Sequence, residues 1–257
     1  MKKKVNKKKE LIQSISLIIA IILVVAIIAT LCYGYFRKVS YKPGNPVATM
    51  EVKDYGTIKI ELYPDMAPNT VKNFIKLINE GYYNGLTFHR IQESLIQGGD
   101  KQGDGTGTTE YSINGEFSKN GYKENTLSFE RGTVGLARQD YSYYASMDSS
   151  LTEKGYNSGY AQFFIMAQDQ KEYDGYYTAF GKVIEGMDVV DKLTKIETQT
   201  KTDEQTGETS TTTTPVNAPV IKNMTVETFG VNYGEPETHK SFDINSWLMS
   251  LYGLSQQ

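Results

Sequence analysis

The uncharged run from Leu11 to Phe36 limits what this chain can fold into more than any other stretch. Its apolar centre, Ile15 to Leu31, is built mainly from Ile, Leu, Val and Ala, and the whole run exceeds the ~20 residues that a helix needs to cross a bilayer. Such a segment cannot be laid on the surface of a water-soluble core, so the chain reads as a transmembrane anchor over 11–36 followed by a folded body. Residues 1–10 hold six lysines and one glutamate. Under the positive-inside rule this basic tail stays cytoplasmic, Arg37 and Lys38 form a weaker cluster on the far side, and the body is extracytoplasmic. A cleaved signal peptide is the competing reading, but the apolar core is longer than the ~7 to 15 residues of such regions and lacks a clear small-x-small exit. A lipoprotein reading of Cys32 meets Leu31 where a small residue is needed.

The formal charge of -3 hides an asymmetry: without residues 1–10 the chain carries 21 basic against 29 acidic residues. An acidic body argues against nucleic acid as a partner. Cys32 is the only cysteine, so neither an intrachain disulfide framework nor a cysteine-based metal site can form. His89 and His239 are the only histidines and have no companions at metal-ligand spacing, and Ser94 has no identifiable base. No metal and no cofactor are expected.

After a Pro/Gly linker over 37–47, Val47 to Val52 and Thr57 to Leu62 alternate as two strands around Asp54-Tyr55-Gly56. Pro64 to Pro68 breaks the second strand and starts a helix, with Asn69 or Thr70 available to cap it and Gly81 to stop it. Val71, Phe74, Ile75 and Ile78 put one apolar stripe on that helix. A further strand ends in Phe88-His89-Arg90-Ile91, and Gln97-Gly98-Gly99-Asp100 is a turn signal. Gly103 to Gly107 has glycines but neither the lysine nor the helix pattern of a phosphate loop, and reads as a turn. Strands follow at Gly132 to Arg138, Ala161 to Ala167 and Thr178 to Val183, then a short helix from Glu185 through Leu193. The Tyr/Ser/Gly/Asp-rich stretch 139–160 reads as a long irregular loop, either a lid or a solvated excursion. Residues 198–214 are low-complexity Thr/Glu/Gln sequence and read as a flexible hairpin tip, and Ala218 to Phe229 alternates as the closing strand. In the tail, 230–257, Ile244, Trp247, Leu248 and Leu251 have helical spacing behind the possible caps Ser241 and Asp243. Docking onto the body or capture of a protein partner would occupy that helix.

Taken in order, Phe88 to Ile91, Gln97 to Asp100, Gly132 to Arg138, Ala161 to Ile165, and Asp174-Gly175 with Phe180 to Val183 closely resemble the cyclophilin-type peptidyl-prolyl cis-trans isomerases. The resemblance covers 48–229, within which 139–160 is longer than the family's connection and counts as an insertion. It implies a mostly β fold, a closed antiparallel eight-stranded β-barrel capped by two helices, with the transmembrane helix added in front. It also implies rotation about the X-Pro peptide bond of proline-containing polypeptides, here assisting exported proteins outside the cytoplasmic membrane.

The residues then take roles by their match to the family. Arg90 corresponds to the catalytic arginine and Gln97 to the glutamine that orients it. Gln162 corresponds to the residue holding the substrate backbone, and Phe164 to the floor of the proline pocket. Leu95 falls where methionine is usual, Tyr173 on the pocket leucine, and Tyr177 on a histidine common in eukaryotic members. Ala137, Arg138 and Gln139 match the edge strand that pairs with the peptide, and Phe88 and His89, just before the arginine, are expected with them among the substrate-binding residues. Two departures stand out. The spacing from Arg90 to Gln97 is one residue short, with Ser94 where a pocket phenylalanine is expected, a loss of ~1.5 to 3 kcal/mol of burial. Glu172 replaces a tryptophan, so cyclosporin-type ligands should bind poorly. These departures keep two other readings open: a weak or inactive module that binds proline peptides, and an assembly factor acting through its tail.

Overall fold

The computed structural model describes residues 2–40, 44–107, 110–202 and 209–253, and divides the chain into two compact units, Met1–Pro43 and Gly44–Gln257. In the first unit a single helix, α1 (Lys2–Ser40), runs without a break through the basic tail, the apolar run and the first residues of the expected linker. Residues 41–43 of that linker lie outside the described residues. Within α1 the 21 residues Gln13–Tyr33 are long and apolar enough to span a membrane, and none of that window is buried. Leu, Ile and Val there have no intramolecular hydrophobic gain from their present positions, which is the property of a lipid-facing helix or a signal sequence rather than a core helix.

The second unit is built on the strands β1 (Val47–Val52) and β2 (Gly56–Leu62), the helix α2 (Pro68–Asn79), and β3 (Thr87–Ile91) and β4 (Leu95–Asp100). Next come β5 (Thr133–Leu136), the short helix α3 (Ser150–Tyr156), β6 (Phe163–Met166), β7 (Thr178–Glu185) and α4 (Met187–Leu193). A two-stranded ribbon of β8 (Thr198–Thr202) and β9 (Thr209–Pro215) precedes β10 (Ile221–Glu227) and the tail helix α5 (Ile244–Leu251). The expected hairpin is therefore a paired ribbon up to its tip, 203–208, which lies outside the described residues.

Eight strands make one antiparallel sheet in the order β10-β1-β2-β7-β5-β6-β4-β3. The buried residues of β1 and β2 alternate along each strand, Ala48, Met50 and Val52 against Ile58, Ile60 and Leu62, as period-two patterning requires. The expected closed barrel is not formed: the sheet is an open half-barrel. Its edge strands β3 and β10 meet only at a corner, through one bridge between Thr87 and Val220 and bonds such as Phe88 N–H to Pro219 O at 3.0 Å. Beyond that corner the Met224 N–H donates to the side-chain oxygen of Asn84 at 2.9 Å, so a loop amide takes the place that a closing strand would need.

Helices α2 and α4 cover the sheet, α2 against β7 and β10 and α4 against β2. The stripe Val71, Phe74, Ile75 and Ile78 is buried in the main core, where Phe74 meets Phe163 and Phe180 edge to face at 5.6 and 5.0 Å. Pro68 opens α2 and Gly81, at a φ of 68°, follows its end. Neither Asn69 nor Thr70 is the cap, because both lie inside the first turn. Their backbone N–H groups donate instead to the two carboxylate oxygens of buried Glu116, each at 2.8 Å. A charge far along the chain thus satisfies the orphan donors and the positive end of the helix.

The insertion 139–160 is packed rather than simply solvated: Leu151 is fully buried and Tyr141 nearly so, while Tyr143 is 80% exposed. The tail lies over it. Asn69 exchanges two hydrogen bonds with the backbone of Glu237, at 2.7 and 2.9 Å, and Ser112 and His239 form an antiparallel bridge. Phe242 then meets Tyr141 at 5.7 Å, and Trp247 of α5 meets Tyr144 at 6.0 Å. Of the two possible caps, Asp243 caps α5 by accepting from Asn245 N–H and Ser246 N–H.

Candidate active site

The β3–β4 hairpin places the arginine. Phe88 pairs with Gly98 and Arg90 with Gln97, leaving His89 as the extra residue of a β-bulge. The bulge breaks the in-out alternation, so Phe88 and His89 are both buried while Arg90 stays partly exposed. Phe88 is 0% exposed and sits against Phe163 in the main core, so its side chain faces the interior and not the groove surface. His89 is likewise 5% exposed, and burial pushes its imidazole below the usual histidine value, with Asp100 opposing and Arg90 assisting.

A file of amides runs from the guanidinium across the sheet. Arg90 Nη1 donates to Gln97 Oε1 at 3.0 Å, and Nη2 donates to Gln92 Oε1 at 2.8 Å. Gln97 Nε2 donates to Gln162 Oε1 at 2.9 Å, and Gln162 Nε2 donates to the Gly105 carbonyl at 3.1 Å. An arginine can only donate, so its presence at one end fixes the sense of each amide after it. Gly99 permits the close approach of β4 to the segment before β6: a Cβ there would stand 2.6 Å from the Ala161 carbonyl. The loop after β4 is the expected turn, its Asp104 and Gly105 N–H groups donating to Asp100 Oδ2.

Beside this file lies a second apolar cluster of Leu95, Phe129, Phe164, Met166 and Ala179, with Leu127, Ala137, Tyr173 and Tyr177 partly buried against it. Phe164 stacks on Phe129 at 5.5 Å and meets Tyr173 and Tyr177 edge-on at 6.0 and 5.7 Å. Phe164 and Leu95 are 3% and 1% exposed, so they form a layer beneath the two tyrosines. Gly135 makes the stack possible, because a Cβ there would run into the Phe164 and Phe129 rings. Burial raises the Tyr177 phenol above its usual value, opposed by Arg138 and, more weakly, by Arg90.

Arg138 reaches back over this rim. Its guanidinium lies 4.6 Å from the Tyr177 ring and 4.9 Å from the ring of Tyr156 in the insertion. Its Nε donates to Tyr176 O and its Nη1 to Gln139 O. Ala137 N–H is already given to Gln162 O at 2.9 Å and Gln139 N–H to Ser158 Oγ at 2.7 Å. A recess of about 100 Å³ lies between the amide file and this segment, bounded by Gln97, Gly105, Ala137, Gln139 and Gln162. A larger hollow of about 860 Å³ lies between the insertion and the tail, lined by residues such as Lys154, Phe242 and Trp247 and by none of the amide file.

The fold therefore gathers Arg90, Gln97 and Gln162 into one bonded group, with Leu95, Phe164, Tyr173 and Tyr177 in the adjoining cluster. Gln92 and Phe129 are participants that sequence reasoning missed. Gln92 could have been found from its place two residues after Arg90, on the same side of an extended chain; Phe129 carried no comparable signal. Among the described residues no group of three or more His, Cys, Asp or Glu side chains could hold a metal ion.

Comparison with known proteins places these features. Residues 47–226 match the family model described as cyclophilin type peptidyl-prolyl cis-trans isomerase/CLD. The chain is 38% identical over 138 residues to peptidyl-prolyl cis-trans isomerase B of Bacillus subtilis, covering 53% of this chain and 82% of that protein. It is 37% identical over 166 residues to a probable peptidyl-prolyl cis-trans isomerase of Brucella suis, covering 60% and 73%. The crystal structure of a cyclophilin type peptidyl-prolyl cis-trans isomerase of Cryptosporidium parvum, in the presence of the dipeptide Ala-Pro, superposes with a TM-score of 0.53 at 27% identity. It covers 70% of this chain and 98% of that one.

Proposed function

Since the chain belongs to the cyclophilin-type peptidyl-prolyl cis-trans isomerases, we propose that Arg90 carries the isomerisation and that the enzyme serves proline-containing polypeptides outside the cytoplasmic membrane. Amide resonance sets a barrier of ~18 to 20 kcal/mol against rotation of a peptide bond. At the top of the barrier the conjugation is lost and the prolyl nitrogen becomes a hydrogen-bond acceptor. A donor waiting at that nitrogen binds the twisted amide more tightly than either planar isomer, which is the condition for faster turnover. No covalent bond is made or broken, and no proton has to leave the enzyme.

The observation that carries this reading is the double hold on the Arg90 guanidinium, one amide oxygen on each terminal nitrogen. Of the five N–H donors in the planar fork, two are occupied and the others are left for substrate. Tyr173, Tyr177 and Ala137, lying over Phe164 and Leu95, offer the apolar surface on which the proline ring rests while the preceding carbonyl swings. Gln162 and the backbone of Arg138, between the internally bonded N–H groups of Ala137 and Gln139, hold the chain on either side. The Ala-Pro dipeptide of the Cryptosporidium protein suggests a ligand of the same chemistry here.

The membrane placement is supported by the 21-residue apolar helix, about 32 Å long at 1.5 Å per residue, against a hydrocarbon layer of about 30 Å. With the lysines of residues 2–9 on the cytoplasmic side, the catalytic unit lies outside. The test uses the full chain in detergent micelles and a short Ala-Pro peptide whose exchange is followed by NMR. Arg90→Ala should slow catalysed exchange by at least about 100-fold with the melting temperature unchanged; an unchanged rate sinks the mechanism. Amino-terminal sequencing of the membrane-bound protein, with protease added to intact cells, tests the placement. A chain shortened past Tyr33, or a catalytic unit shielded from the protease, rules it out.

A further inference from the structure

The connection between β3 and β4 carries a device beyond the Arg90–Gln97 pair. Ile91 pairs with Ile96, and Gln92 N–H donates to Leu95 O at 2.9 Å, so the strands are joined by a tight turn centred on Glu93 and Ser94. Ser94 O accepts from the N–H groups of Ala167 and Gln168, at 2.8 and 3.3 Å, which pins the turn to the end of β6. The short connection keeps residue 92 inside the hairpin ladder, and two-residue alternation therefore still governs where its side chain points. Arg90 and Gln92 share a face, and Gln92 Oε1 takes a hydrogen bond from Nη2 at 2.8 Å. Gln97 holds Nη1 at 3.0 Å from the facing strand.

We propose that Gln92 is a second positioning residue for the reaction, fixing the plane and the swing of the guanidinium together with Gln97. This rests on the reading of Arg90 as the catalytic residue. One acceptor leaves a guanidinium free to pivot about that bond; two acceptors on different nitrogens define its plane. The shortened turn, which costs the pocket a phenylalanine at the Ser94 position, thus supplies a brace in exchange. Gln92 acts through Arg90, so its loss should appear in kcat and leave KM nearly unchanged.

The test compares Gln92→Met, which fills similar space without a strong acceptor, with Gln92→Glu, which restores the acceptor, on the full chain in micelles. Gln92→Met should lower kcat by about 10-fold with KM within about twofold, and Gln92→Glu should recover most of the loss. With nitrogen-15 arginine, the four arginines of the chain give separable side-chain signals. The Arg90 Nη protons should be resolved from one another in wild type and in Gln92→Glu, and averaged in Gln92→Met. Wild-type kcat with resolved Nη protons in Gln92→Met overturns the proposal, as does an equal loss in Gln92→Glu without recovery. Arg90→Ala measured in parallel separates the two readings. If it is inactive while Gln92→Met is normal, only the role of Gln92 fails; if it is fully active, the reading of Arg90 fails and takes this one with it.

Discussion

Gln97 faces Arg90 across the β3–β4 ladder and divides its amide between two partners, its oxygen to the guanidinium at 3.0 Å and its nitrogen to Gln162 at 2.9 Å. A residue with both an acceptor and a donor at that point is required, because the arginine can only donate and the next amide presents its oxygen.

Gln97→Glu keeps the acceptor for Arg90 and loses the donor for Gln162, setting a carboxylate against the Gln162 oxygen. Gln97→Leu loses both links. We expect kcat/KM to fall by about 10-fold in the first and about 100-fold in the second, measured on a short proline peptide. Equal rates for the two variants would show that the acceptor for Arg90 has no influence beyond the link to Gln162.

Gly135 lies opposite Phe164 in the β5–β6 ladder, beneath the stacked Phe129 ring. Gly135→Ala introduces a methyl into filled space, and overpacking of this kind costs about 1 to 3 kcal/mol. Chemical denaturation should report that loss. Peptide affinity should fall with it, since the displaced Phe164 ring supports Tyr173 and Tyr177.

Glu116 is 5% exposed and accepts from two N–H groups of the first turn of α2. Glu116→Ala leaves the buried Thr70 N–H and the part-buried Asn69 N–H without their partner, and should lower stability by at least the cost of one buried unpaired donor, about 1 to 3 kcal/mol. Glu116→Gln retains one acceptor oxygen and should recover part of the loss in the same denaturation series.

Burial lowers the pKa of His89 below its ordinary 6.5. The unfolded chain then binds a proton at higher pH than the folded one. The contribution of His89 to stability is therefore complete above about pH 6.5 and is lost as pH falls through the depressed folded-state value. Denaturation between pH 7 and 5 should show this decline, and His89→Gln should flatten it.

Val24 lies near the middle of the apolar helix. If the helix spans a bilayer, Val24→Arg adds about 2.5 to 3.5 kcal/mol to its insertion and should shift protein from the membrane fraction to the soluble or degraded one. Unchanged fractionation would speak against a span.

Local patterning made much of this fold readable. The alternation of β1 and β2 and the stripe on α2 are properties of neighbouring residues, and Val71, Phe74, Ile75 and Ile78 are all buried. What escaped the sequence depends on distant partners or on register. The cap of α2 comes from Glu116, 46 residues from Thr70, and no spacing rule reaches that far. The bulge at His89 turns two consecutive side chains inward, so simple alternation misplaces one of them. The open sheet also departs from the expected barrel through a distant partner, the side chain of Asn84, in a loop, which occupies the edge of β10 at Met224. The residue types of the candidate site were legible through resemblance, but the hydrogen bond from Arg90 to Gln92 depends on the geometry of a turn shorter than the family's usual one.

The sheet joins its first strand to its last, with Val47 of β1 opposite Glu227 of β10. A ribosome adding roughly 5 to 20 residues per second takes on the order of 10 to 40 s to travel between them. For that interval β1 has a bare hydrogen-bonding edge, and a nascent chain halted anywhere in it exposes a ready template for misassembly. The domain is therefore completed from its end. A product terminated before β10 keeps the edge of β1 uncovered.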